Sequence, residues 1–389
     1  MLKRLALALC AVSTTLLAAA PAEAQANKPF RVAAIVAKTG VLATVLGPAG
    51  IGFEAYVDQV NKAGGVNGRR IELERYDEQS TPAVAAGLFQ RVLSDPPVAM
   101  IFFGQSTSMT QSRQLLVNAG MPVITVTADD SFLYPTPAKT IFMLNLSTVQ
   151  QANSLLGVMK QQVGDLKGKK IAIAAVQTTF SDGIIRNLQA AAEKGGFTLA
   201  ATEKFPAGIP SFASQAANIA RANPDAVFVM AGNADAPLIT RAISDAGVTK
   251  APLIAYAAAA TDEVYQKVNL PNFMAFRFTI PASELPDLVA KMAGTPFAAD
   301  MNNNWWGTGW LAGNVLRAGL EKCPADCDGA KLIAAMETMG PVATNEKLTY
   351  GPPHFTADNH AGLATAQTFM WKNGKVTAEG QPFSTVAAP

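Results

Sequence analysis

Charge of either sign is scarce in this 389-residue chain: charged side chains make up 15% of it, and basic residues outnumber acidic ones by only two. Holding a polyanion takes a basic surface, so this near-neutrality argues against nucleic acid as a partner. Histidine is scarcer still, with two residues, and cysteine stands at three. No His, Cys or carboxylate group has the spacing of a zinc site. Residues 164–170, Gly-Asp-Leu-Lys-Gly-Lys-Lys, lack both the spacing and the Ser/Thr of a phosphate-binding loop. Glycine and proline are near average usage, which excludes collagen-like repeats and long disordered tracts. A serine hydrolase is disfavoured too. Gly104-Gln105-Ser106-Thr107-Ser108 ends in serine where a nucleophile elbow needs glycine, and only His354 and His360 offer an imidazole. No cofactor or metal is therefore expected.

What is present begins with an export signal. Met1 to Arg4 is a charged start, residues 5–20 are an apolar run, and Pro-Ala-Glu-Ala-Gln-Ala follows. A short apolar core ending in small residues is the build of a secretory signal peptide, here residues 1–24, with cleavage after Ala24 or alternatively Ala26. The run is interrupted by Ser13, Thr14 and Thr15 and falls short of the roughly 20 apolar residues of a membrane span. A periplasmic location in a Gram-negative source is expected, with no stable membrane insertion of the mature chain. Cys10 leaves with the signal. An oxidising compartment favours pairing the remaining Cys323 and Cys327 in a small local loop, the alternative being two free thiols.

From residue 30 onward, short apolar runs alternate with amphipathic segments. Strands are expected at 31–37, 71–76, 98–103 and 123–126, with helices at 47–63, 81–93 and 107–118 between them. After 140–144 a second series follows, with helices at 149–163, 182–194, 211–222 and 236–246 and strands at 171–176, 199–205, 226–230 and 253–256. This alternation belongs to α/β architecture, a parallel sheet covered by helices, and it runs twice. Residues 284–338 read as mostly helical and should fold back over one sheet. A last extended pair, near 368–370 and 375–377, turns on Asn373-Gly374. Three of the four tryptophans gather at 305–310; Trp306 and Trp310 share a helix face, either in the core or as a lip over a cleft.

Ligands of parallel sheets bind beyond the C-terminal strand ends, where helix N-termini present free N–H groups. Two such loops, Gly104-Gln105-Ser106-Thr107-Ser108 and Thr125-Val126-Thr127-Ala128-Asp129-Asp130, offer donors suited to a carboxylate, although Ser106 or Thr107 could equally be a plain N-cap. In the second series the corresponding loops carry Phe180, Asn233 and Tyr256. Phe180 and Tyr256 are either the walls of an apolar or aromatic ligand pocket or ordinary packing.

Taken together, the export signal, the opening strand Phe30-Arg31-Val32-Ala33-Ala34-Ile35-Val36, the turn Ala63-Gly64-Gly65-Val66-Asn67-Gly68-Arg69, the two ligand loops and the closing Phe355-Thr356-Ala357-Asp358-Asn359-His360 resemble the periplasmic solute-binding proteins of the branched-chain amino acid (Leu/Ile/Val-binding) type. The resemblance spans nearly the whole mature chain. It implies a type I periplasmic binding protein, with two Rossmann-like lobes joined by a three-strand hinge, closing on a small-molecule ligand and presenting it to the membrane permease of an ABC transporter. It also implies lobe 1 at 27–144 plus 278–350 and lobe 2 at 145–277 plus 351–389, with crossings near Leu144, Arg277 and Tyr350. Gln105, Ser106 and Thr127 then sit where relatives hold a ligand's carboxylate and amine, Phe180 replaces a usual tyrosine, and Asn233 lies near another aromatic position. Two departures stand out. Asp129 takes the place of a second hydroxyl residue, and Tyr256-Ala257-Ala258 lacks the acid that meets an ammonium. A carboxylate or amide is therefore expected rather than leucine. A ligand sensor for a membrane receptor would use the same cleft.

Overall fold

The computed structural model describes residues 28–128, 130, 133, 138–344 and 346–386, so the expected signal peptide and Asp129 lie outside the described residues. Two sheets organise the chain. β1 (Phe30–Val36), β2 (Ile71–Asp77), β3 (Ala99–Phe103), β4 (Val123–Thr125) and β5 (Ile141–Met143) form a wholly parallel sheet in the order β2-β1-β3-β4-β5. The second sheet holds β6 (Lys170–Val176), β7 (Thr198–Phe205), β8 (Ala226–Met230), β9 (Leu253–Ala255), β10 (Phe273–Arg277), β11 (Thr365–Lys372) and β12 (Lys375–Ser384). Its order is β12-β11-β10-β9-β8-β6-β7, parallel except for β11 and β12. Central strands such as β3 and β8 are buried along their whole length, which is why they read as unbroken apolar runs.

The first sheet is joined through α1 (Ala43–Lys62), α2 (Pro82–Ser94) and α3 (Ser106–Asn118). The second uses α4 (Thr148–Val163), α5 (Thr179–Gly195), α6 (Ala213–Arg221), α7 (Ala236–Asp245) and α8 (Asp262–Val268). Then come α9 (Pro286–Met292), α10 (Asn304–Lys322) and α11 (Gly329–Thr338). Helix α8 and strand β10 escaped the sequence pattern. The helix is seven residues long, too short for a 3.6 periodicity to show, and the strand ends on Arg277. Helix α1 begins ahead of its expected start and runs through Pro48. Proline has no N–H for the carbonyl four residues back, and Asn303 Nδ2 donates to that Thr44 oxygen instead, at 3.0 Å. Asn373 and Gly374 both have positive φ, as the tight hairpin between β11 and β12 requires.

Helix α10 lies on α1, and glycine lets the backbones approach. A Cβ on Gly309 would stand 1.8 Å from Ala49 O, and one on Gly52 would stand 2.0 Å from Trp306 O. Trp306 and Trp310 are stacked at 5.5 Å, essentially without exposure, and Trp310 meets Tyr56 edge-on at 5.1 Å. They are core, not lip. Beyond α10, Cys323 and Cys327 are disulfide-bonded, and Ala325 O inside that loop accepts a hydrogen bond from Arg69 Nη1 at 2.9 Å. His360 is fully buried, stacked on Phe142, with Nδ1 3.1 Å from Ala138 O and Ile141 O and Nε2 3.0 Å from Glu337. It pins the segment before β11 against β5.

The close helix contact gives a test. Gly309→Ala is expected to destabilise by about 1–3 kcal/mol through overpacking. Gly87→Ala, on an open face of α2 with nothing near its Cβ position, should be neutral or stabilising by up to about 1 kcal/mol. Denaturant unfolding of the two variants measures the contrast, and equal effects would contradict it.

Candidate functional site

The ends of β2, β3 and β4 build one side of the site. Strand β3 runs into Gly104, where a Cβ would fall 2.5 Å from Phe102 Cζ and 2.8 Å from Glu78 Cδ. Only glycine lets the loop settle on Glu78, which is fully buried. The Glu78 carboxylate accepts the Gln105 N–H at 3.4 Å and the Ser108 hydroxyl at 3.3 Å. Burial raises its pKa above the ordinary carboxylate value, and those hydrogen bonds oppose the shift. Gln105 Nε2 donates to Ser80 O at 2.7 Å, so this side chain braces the neighbouring loop. Gln105 is also the N-cap of α3, but without a capping side-chain bond. Ser106 and Thr107 are thus the first helical residues rather than caps, and the first-turn N–H groups lack a side-chain cap.

Strand β4 delivers Thr127, 3% exposed, whose N–H donates to Thr125 Oγ1 at 3.0 Å, with the two hydroxyls also 3.0 Å apart. Asn145 Nδ2 holds the turn by donating to Val126 O at 2.8 Å. Asp130, two residues past Ala128, accepts the Thr148 N–H at 2.8 Å, the Thr148 hydroxyl, and Asn187 Nδ2 at 3.3 Å. A loop of the first sheet therefore ties down α4 and α5 beside the second. This role was not foreseen; its only sequence signal is the Ser147-Thr148 start of the next helix.

On the other side, Thr178 caps α5 by accepting the Ser181 N–H at 3.1 Å, which sets Phe180 in the first turn. Phe180 packs against a small buried cluster made of Ala128 and Leu133 from the loop after β4 together with Met143 and Ala361. It also meets Tyr256, ring to ring at 6.3 Å, where the chain leaves β9. Tyr256 is 9% exposed, and burial pushes its phenol up to about 12. The structure thus brings Phe180 and Tyr256 together with the Thr127-Ala128 loop. Gln105 and Ser106 leave the adjacent strand β3, paired with β4. Asn233 stands apart: it is exposed, and its one hydrogen bond comes from the Thr261 hydroxyl at 3.5 Å. Among the described residues no group of three His, Cys, Asp or Glu could hold a metal ion.

The architecture has counterparts. A family model described as periplasmic binding protein matches residues 29–375. The chain belongs to the periplasmic binding protein family. It is 22% identical over 351 residues to a Leu/Ile/Val-binding protein homolog of Brucella melitensis, an alignment covering 87% of this chain and 92% of that one. Among solved structures it is similar to a branched-chain amino acid ABC transporter protein from Thermus thermophilus with bound valine, with a TM-score of 0.77, 16% identity, and coverage of 92% and 97%. It is also similar to a fatty acid ABC transporter substrate-binding protein from Thermomonospora curvata, with a TM-score of 0.73, 19% identity, and 92% of each chain covered. At these identities the structural likeness establishes the fold, the type I arrangement of two α/β lobes.

In this periplasmic binding protein Arg277, noted in the sequence only as a crossing point, is a buried guanidinium. It donates to Ala260 O at 2.7 Å, pairs with Asp262 at 3.0 Å and Glu284 at 2.7 Å, and lies 4.7 Å from the Phe369 ring centre. It gathers the loop after β9, the start of α8 and the chain leaving the second sheet. A lone arginine closing the apolar run Phe-Met-Ala-Phe was the available signal. A surface hollow lined by Gln162, Pro224, Lys250, Pro271 and Met370 lies where β8 to β10 begin, away from these loops.

Glu78 carries a pH prediction. Its folded pKa lies above the ordinary 4.5, so the native state binds more protons than the unfolded state just above that pH, and stability falls as pH rises through the window. Glu78→Gln cannot ionise. The stability of the wild type relative to this variant is expected to decline from pH 4.5 towards neutrality in thermal melts, and a constant difference would contradict the buried charge.

Proposed function

We propose that this protein is the exported solute-binding component of an ABC importer, closing its two lobes on a small organic solute and presenting the loaded form to a membrane permease. Its main support is the packing of Phe180, from one proposed lobe, against the buried cluster that holds Ala128 and Leu133 of a strand-end loop of the other. In this reading Ser106, Thr127 and nearby N–H groups hold the polar end of the solute, Gln105 braces their loop, and Phe180 and Tyr256 cover the remainder. Asp129, which lies outside the described residues, and Asn233 complete the proposed set. The lobes would comprise residues 27–144 plus 278–350 and 145–277 plus 351–389, with residues 1–24 removed on export to the periplasm. No catalytic step is invoked: His360 is taken up by Ala138, Ile141 and Glu337. No helix among the described residues is long and apolar enough to cross a membrane, which suits a protein that meets its permease from outside the bilayer.

The similar proteins carry names that include valine and fatty acid, so kinship alone leaves the cargo open. A thermal-shift screen of refolded, ligand-stripped protein against branched-chain amino acids, aromatic and aliphatic carboxylates and short amides tests the reading. A solute at about 1,000 times its Kd should stabilise by roughly 4 kcal/mol, and Phe180→Ala should weaken it by about tenfold or more. Absence of any shift across the panel would contradict solute binding. Ester hydrolysis abolished by Ser106→Ala would replace it with the hydrolase.

A further inference from the structure

The loops beyond the strand ends hold several carboxylates, and each described one has a protein partner. Glu78 is engaged by Gln105 and Ser108, and Asp130 by Thr148 and Asn187. Asp235 receives the Gly208 N–H at 3.1 and 3.2 Å, and Asp262 and Glu284 are paired with Arg277. None of these is left to meet a cation. Tyr256 is the opposite case. Most of its side chain is buried, while its hydroxyl, which is not itself enclosed, has no hydrogen-bond partner among the described residues. Beside it stand the Phe180 ring and the turn of Ala257, Ala258 and Ala259.

An ammonium enclosed on this wall would lose its water and gain no counter-charge, which is costly. A neutral oxygen of a solute would instead pair with the Tyr256 hydroxyl, and a solute lacking it would leave the phenol without that partner. The opposite wall presents the Ser106 and Thr127 hydroxyls and the first-turn N–H groups of α3, which have no side-chain cap and suit a carboxylate. We propose that the cleft selects an organic acid without an ammonium group, and that the Tyr256 hydroxyl is the hydrogen-bonding group of the second lobe that orients it. This rests on the solute-binding reading above and names its substrate class.

The experiment is calorimetric titration of the ligand-stripped mature chain with matched solutes: leucine, 4-methylpentanoate and 4-methyl-2-oxopentanoate, and the corresponding phenylalanine, 3-phenylpropanoate and phenylpyruvate. The amine-free acids are expected to bind at least about tenfold more tightly than their amino acids, with the 2-oxo acids tightest because their carbonyl accepts from the phenol. Tyr256→Phe, which removes only the hydroxyl, is expected to erase the preference for the 2-oxo acid over the plain acid. Equal or tighter binding of leucine or phenylalanine overturns the ammonium-free class. A 2-oxo preference unchanged in Tyr256→Phe overturns the role of the hydroxyl. If none of the six binds while the wider panel yields a cationic or neutral solute, the acid class falls and solute binding stands; if nothing in either set binds, the solute-binding reading itself falls.

Discussion

The chain passes between its two sheets three times, and each passage must satisfy backbone groups that neither sheet can serve, since a buried N–H or C=O left alone is costly. It does so by pairing the passages with one another. Leaving β5, Met143 N–H donates to His360 O at 2.8 Å, Gly362 N–H to Met143 O at 2.9 Å, and Leu144 N–H to Thr125 O at 2.7 Å. Leaving β10, Ile280 N–H donates to Leu348 O at 2.7 Å, and Thr279 bridges Thr349. Outgoing and returning chain thus support each other, and buried His360 and Arg277 fix side chains at the two places. Everything proposed for the cleft depends on this arrangement, because it decides which loops of one sheet can meet which loops of the other.

Those loops divide the chemistry unequally. The first sheet contributes hydroxyls, amides and a helix start, all held from behind by Glu78 and Thr125. The second contributes aromatic rings and alanines, with the Tyr256 hydroxyl at the edge of the Phe180 contact. A polar floor against an apolar wall gives a small molecule a fixed orientation, and burial between the two excludes the water that would compete for its hydrogen bonds. Asp130 and Arg277 lie beside this region and are saturated by protein partners, so they hold the walls rather than the cargo.

Much of the fold is legible in the sequence because strands buried on both faces must be apolar throughout, and Ala226–Met230 falls on its expected bounds for that reason. β10 was hidden: its neighbour α8 is short and charged, and no periodicity separates the two. The loops of the candidate site were legible, since strand ends are where parallel sheets bind, and the partners of their side chains were not. Whether Gln105 points to a ligand or to Ser80 O is decided by a loop 25 residues earlier, and nothing local records that choice. Asn233 reads like its neighbours in the sequence yet stands exposed at the end of β8. The Asp130 bridge to Thr148 and Asn187 is likewise a contact across the fold, visible only once α4 and α5 are in place.

The central claim is that one solute is held between the two lobes at this place. A crystal structure of the protein loaded with the tightest solute from the screens tests it most directly. The account predicts the solute enclosed with its polar end at Ser106 and Thr127 and its body against Phe180 and Tyr256. A solute seated in the hollow beneath β8 to β10, or touching the loops of one sheet alone, would contradict it.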